Sequence, residues 1–258
     1  MKNIPDFQLE NDFLLKKWRI ESDKDDSNGF CEDGLMFKGE IKTTIGNDNK
    51  KYWYRESGNE NILWYNSAKR VLFLNKDVPG NNEQNIREWI FRQHPTDITN
   101  KHYKNISLWL YGLLNLNNEG ISPLFDDISV LDYSSFTDKT PLAYINCKKE
   151  CGFNSISNKM LSAHIERFKI FIKSQIYILN PDIIVCGGGS SLIKNFIKEF
   201  VYKDIVQVNA WMYFDKKNNK LIIDSYHPSC RKSPNDIYEP LMKNYEDFNR
   251  KFPKFNNI

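Results

Sequence analysis

Three apolar runs in this sequence stop at a polar residue equipped for chemistry. Val71 to Leu74 gives way to Asn75, Lys76 and Asp77. Pro141 to Ile145 ends at Asn146 and then turns basic at Lys148 and Lys149. The run through Leu221 to Ile223 leads to Tyr226-His227-Pro228-Ser229, with Arg231 and Lys232 just beyond. The three ends therefore carry an acid, an amide and an imidazole. Carboxylate and imidazole groups move protons or stabilise charge, and an amide offers a donor beside an acceptor. In an open α/β sheet, ligands sit outside the carboxyl ends of the strands, which is where these residues fall. Each also has a plain structural reading. An Asp after a strand commonly opens a turn or caps a helix.

The elements that must position them follow from periodicity. Val71 to Leu74 is wholly apolar, with β-branched and aromatic members, as in a central strand buried on both faces. Pro79-Gly80 is a turn signal after it. Pro181 to Ser190 (PDIIVCGGGS) predicts a buried strand, a glycine turn and a helix over 191–200. Further strands are expected at Asp204 to Val208 and Leu221 to Ile223. Helices are expected over Phe7 to Glu21, Asn85 to Gln93, Lys104 to Leu116, Ser157 to Leu179 and Pro240 to Phe255, from apolar residues at helical spacing. In the first, the apolar face is read as Phe13, Leu14, Leu15, Trp18 and Ile20. KYWYRES, residues 51–57, is aromatic and basic and reads as a hairpin arm, and Ile121 to Asp127 reads as a loop. Strands alternating with helices give an α/β fold with a mostly parallel central sheet. The consecutive glycines of CGGGS match a nucleotide fingerprint only weakly, and small residues there also let the backbone approach a partner closely.

KDVPG, YINCKK, PDIIVCGGGS and YHPS, in this order, resemble the motifs of the uracil-DNA glycosylase superfamily, from Val71 to Arg231. Lys76 stands where the best-known members begin their first motif with Gly, and the N-terminal cysteine pair of iron–sulfur members is not seen. The resemblance implies a three-layer α/β/α sandwich. It implies hydrolysis of the N-glycosidic bond of uracil or a 5-substituted pyrimidine in DNA, in repair or in defence against phage. Asp77 would orient water and stabilise positive charge at the sugar, and His227 would stabilise the departing base. Asn75, Asn146, Gly80 and Trp89 would form the base pocket. Asn146 would read the Watson–Crick edge, and Gly80 would leave open the wall that excludes C5 substituents elsewhere in the superfamily. Trp89 has core packing as its rival role. Lys149, Gly188, Ser190, Ser229 and Arg231 would hold DNA phosphates, and no metal or nucleotide cofactor is needed.

Composition bounds these readings. A chain of 258 residues with 40% hydrophobic content can bury one sizeable core. Residues 1–66 read as an extension packed on a domain at 67–258. A net charge of +3 is too small to prove a nucleic-acid partner, so the placement of charge matters more. Five scattered cysteines fit a reduced, cytoplasmic protein and complete no zinc set. No secretory signal and no membrane-length apolar run is seen. Two other classes stay open: a DNA-binding module without catalysis, and a nucleotide-binding enzyme using CGGGS.

Overall fold

A computed structural model describes residues 4–22, 29–46, 49–77, 83–90, 100–129, 133–152, 156–188 and 191–255. In chain order its first elements are α1 (Phe7–Ser22), β1 (Cys31–Glu32), β2 (Gly34–Leu35), β3 (Ile41–Ile45), β4 (Lys51–Arg55), α2 (Glu60–Asn66), β5 (Val71–Asn75) and β6 (Gln84–Asn85). Then come α3 (Lys101–Leu114), α4 (Phe125–Ser129), α5 (Tyr133–Lys139), β7 (Ala143–Asn146) and α6 (Asn158–Leu179). The chain continues with β8 (Ile183–Gly187), α7 (Leu192–Phe196), β9 (Ile205–Gln207), β10 (Met212–Asp215), β11 (Lys220–Ser225) and α8 (Pro234–Lys251). The fold is mixed α/β. The chain divides into two compact units, Met1–Ile90 with Pro141–Pro181, and Phe91–Thr140 with Asp182–Ile258.

In the first unit β5 and β7 run parallel, with Asn75 opposite Asn146. β2 adds to β7 antiparallel. Every residue of β5 and β7 is buried, the apolar runs as their character requires and the Asn at the end of each with them. α6 begins at Ser157, whose side chain accepts the Met160 N–H, and stops at Asn180 in the left-handed region, φ 45°. Leu161, Ile165, Phe168, Ile172 and Ile176 bury its inner face as the spacing predicted. The inner face of α1 differs from the predicted one. Phe7, Asn11, Leu15, Trp18 and Ser22 are buried, while Phe13 and Ile20 are exposed. The reason is that α1 covers polar as well as apolar partners. Trp18 stacks on Phe171 at 5.5 Å, and the Asn11 amide donates to the Asp33 carbonyl at 2.7 Å.

In the second unit β8 and β11 are parallel, and β10 and β9 continue antiparallel. β10 was not foreseen: Met212-Tyr213-Phe214-Asp215 is too short to announce itself, and its pairing with β11 makes it a strand. Ile106, Leu108, Trp109, Leu110 and Leu113 bury almost the whole circumference of α3. A Cβ at Gly112 would come within 2.6 Å of the Tyr238 hydroxyl and 2.7 Å of Met242 Sδ, so only Gly allows α8 this close. α8 packs Leu241, Tyr245 and Phe248 inward as expected, and it starts earlier, at Pro234, behind the Ser233 cap. The loop read at 121–127 contains the start of α4, and the helix read at 191–200 becomes α7 followed by a π turn over Ile197–Val201.

The helix predicted over 85–93 does not form across its described residues. Gln84–Asn85 pairs parallel with β1, and Ile86–Glu88 is a single 3-10 turn. The Asn85 side chain accepts the Arg87 N–H at 3.2 Å, an alternative to helical bonding. Arg87 is drawn to Asp12 and to Glu32, the latter at 2.8 Å. Tertiary ion pairs override a helical pattern here. Among the described residues no helix is long and apolar enough to cross a membrane.

Candidate functional site

In the first unit candidate residues lie at the end of the β5–β7 pair. Asn75 and Asn146 are register partners on parallel neighbours, so their side chains stand on the same face. Both residues are fully buried. Among the described residues, neither the Oδ1 nor the Nδ2 of either amide has a hydrogen-bond partner. Their backbones are satisfied: the Asn146 N–H donates to Asp33 Oδ2 at 2.8 Å, and the Cys147 N–H to the Asn75 carbonyl at 2.9 Å. The ladder runs one step further, with the Lys148 N–H donating to the Lys76 carbonyl at 3.0 Å. Asp77 follows directly and is half-buried. Burial pushes its carboxyl up, and Lys76, Lys148 and a bond from the Ile156 backbone pull it back only in part.

Lys149 corrects the sequence reading. It was expected at a phosphate, yet it is fully buried and its ammonium is paired with both oxygens of Asp33. Its Nζ also lies 4.9 Å from the centre of the Trp18 ring. Asp33 in turn accepts from the Gln175 amide at 2.8 Å. A cation sealed in this way is part of the core and cannot reach DNA. Cys147, beside Asn146, is fully buried, and burial pushes its thiol up to about 12.

Trp89 is half-buried on a cleft of about 590 Å³ in the same unit, with Tyr52, Trp53 and Tyr54 of β4 and the carboxylates of Glu32 and Glu88. Its ring lies 6.0 Å from that of Tyr144. Tyr144 and Asn146 alternate onto one face of β7, so Trp89 packs on the side of the strand that carries the amide. Gly80 lies outside the described residues.

In the second unit candidate residues lie in the turn after β11. The Ser229 N–H donates to His227 Nδ1 at 3.1 Å, and the Cys230 N–H to the His227 carbonyl at 2.9 Å. With Nδ1 accepting, the proton of the neutral ring sits on Nε2, which becomes a donor. Gly188 explains one glycine of CGGGS: its φ is +82°, and a Cβ there would lie 3.1 Å from His227 Cβ. The backbone thus passes against the histidine, where a phosphate role had been expected. Ser190 lies outside the described residues. Ser229 and Arg231 are exposed.

Two residues of this turn's surroundings escaped sequence reasoning. Asn105 Nδ2 donates to the Pro228 carbonyl at 2.5 Å, and His102 Nδ1 lies 3.0 Å from Ser229 Oγ. Both come from the first turn and a half of α3. The signal available was Asn100, an N-cap residue whose side chain accepts the His102 N–H at 2.9 Å and so fixes where the helix begins. Burial first, then His227, holds His102 down to about 3.

Among the described residues, no group of three or more His, Cys, Asp or Glu side chains is placed to hold a metal ion. No family model matches this chain, and no curated protein is similar enough to it to count as a match.

Proposed function

We propose that this protein is a DNA glycosylase that hydrolyses the N-glycosidic bond of a pyrimidine, on a three-layer α/β/α fold of the uracil-DNA glycosylase kind. The observation that carries the reading is the Asn75–Asn146 pair. Leaving a buried polar group without a partner costs about 1–3 kcal/mol each. Two amides side by side at parallel strand ends, with all four polar atoms unpartnered, are therefore held for a planar partner with its own donors and acceptors. The Watson–Crick edge of a pyrimidine is such a partner. Both amides are covered in this structure, so the chain around them must part to admit a base flipped from DNA.

The remaining roles follow from the chemistry. The transition state is positively charged at the sugar, and the Asp77 carboxylate, once ionised, stabilises it and orients water. The departing base carries negative charge, which a donor from His227 Nε2 relieves. Ser229 and Arg231 hold phosphates and position the strand without choosing sequence. The absence of a side chain at Gly80 permits a 5-substituted base.

The test is incubation with single- and double-stranded DNA carrying uracil, cytosine, hydroxymethylcytosine or glucosylated cytosine, followed by mass analysis of the released bases. Release of a pyrimidine, with an alkali-labile abasic site left behind, is the expected result. DNA binding without any release would leave a non-catalytic module, and a thermal shift with nucleotides alone would favour the CGGGS reading.

A further inference from the structure

We propose that His102 is a positioning residue that holds His227 in its Nε2–H tautomer by way of Ser229, an inference that rests on the reading of His227 as the donor to the departing base. The starting point is that the His227-Pro228-Ser229 turn is a surface loop with an exposed serine, yet its geometry is over-determined. α3 grips it twice. Asn105 binds the Pro228 carbonyl, and His102 Nδ1 binds Ser229 Oγ at 3.0 Å. The Ser229 backbone N–H then reaches His227 Nδ1 at 3.1 Å. One chain of contacts thus runs from α3 through the serine to the ring nitrogen whose protonation decides the tautomer.

The platform is rigid. Beyond its first turn α3 is buried on nearly all sides, so His102 and Asn105 are fixed relative to the second unit's core. The His102 and His227 rings also lie against each other, centroids 5.5 Å apart at 44°. Gly188 presses on His227 Cβ within the same unit, so His227 has a backbone contact as well as the second ring to limit its rotation. His102 itself is no proton carrier. It stays neutral because it is buried and because a proton on His227 would repel one on His102. Its contribution is geometric: without the bond to Ser229 Oγ, the serine is held only through its chain neighbours, and its N–H loses its alignment with His227 Nδ1. Residues that orient metal-bound histidines are worth about ten- to a hundredfold in activity, and the same scale is expected for His102.

The experiment is nitrogen NMR of the imidazoles in the full-length protein, together with kinetics of base release. Wild type should show His227 as the single Nε2–H tautomer. His102→Phe should give mixed tautomers and lower kcat by about ten- to a hundredfold, with KM for DNA changed less than about twofold. Ser229→Ala keeps the backbone N–H and removes the hydroxyl, and it should give the same mixed spectrum. His102→Asn places an amide near the position of Nδ1 and should restore both tautomer and rate. If His227 keeps one tautomer in His102→Phe and Ser229→Ala, the inference is overturned. If wild type releases no base, the glycosylase reading falls, while the tautomer comparison still decides this one.

Discussion

Two of the sets of polar side chains that the first unit buries are treated in opposite ways. Around Asp33 the charges and the donors are matched, and Gln175 Oε1 is the one polar side-chain atom of the group with no partner among the described residues. The Asp33 carboxylate takes the Lys149 ammonium, the Gln175 amide and the Asn146 N–H, and its own carbonyl takes the Asn11 amide. At Asn75 and Asn146, one strand end away, the backbone is matched and the side-chain amides are not. The Asn146 N–H belongs to the first set and its side chain to the second. The same strand end is therefore fixed through its backbone and left unsatisfied through its side chains. A satisfied network specifies a core. An unsatisfied pair, held on so rigid a support, is the pattern of a binding site prepared in advance.

The largest effect should come from breaking the matched set. Lys149→Met strands a buried carboxylate and should cost about 3–5 kcal/mol in chemical denaturation. If Lys149→Met is neutral, the contrast drawn here disappears. Asp77→Asn comes next and acts in the opposite sense on stability. It should slow base release by at least about a hundredfold. Burial raises the Asp77 carboxyl in the folded state, so stability is fully present at low pH and is lost as pH rises through that raised value. Removing the charge should therefore raise Tm at neutral pH and change nothing below the ordinary carboxylate range. A lower Tm at neutral pH would show that the charge is stabilising.

Asn146→Leu acts on the unpartnered pair. An apolar side chain of similar shape removes unpartnered atoms, so stability should hold or rise by about 1 kcal/mol while base release is lost. Destabilisation would show that the amide has structural partners. Gly188→Ala should cost about 1–2 kcal/mol from its positive φ, and the crowding against His227 should lower activity with it. The smallest effect is at the surface. Arg231→Ala should weaken binding to all sequences alike and reduce the slope of log affinity against log salt by about one.

Much of this was legible in the sequence for definite reasons. β5, β7, β8 and β11 are continuous apolar runs, and α6 keeps its spacing over 22 residues with a Ser cap and an Asn stop. Strand ends could be read because polarity changes abruptly there, which is how Asp77, Asn146 and His227 were singled out. What could not be read depends on long-range partners. Nothing in CKKE says that Lys149 turns inward while Lys148 remains near Asp77, since that is decided by Asp33, 116 residues away. Arg87 breaks its predicted helix for Asp12, 75 residues away. His102 reaches Ser229 across 127 residues, and no local pattern records that contact.

Base recognition by Asn75 and Asn146 can be read from the side-chain NH₂ resonance pair of each. Asn75→Leu and Asn146→Leu would assign them by loss of signal. Asp77→Asn protein, which should bind without cleaving, would then be titrated with a pyrimidine-containing oligonucleotide and with the same oligonucleotide carrying an abasic site. Amides that read the base should shift with the first strand and stay in place with the second. Resonances that ignore both strands, while DNA binding is seen by other signals, would contradict the assignment of this pair to base recognition.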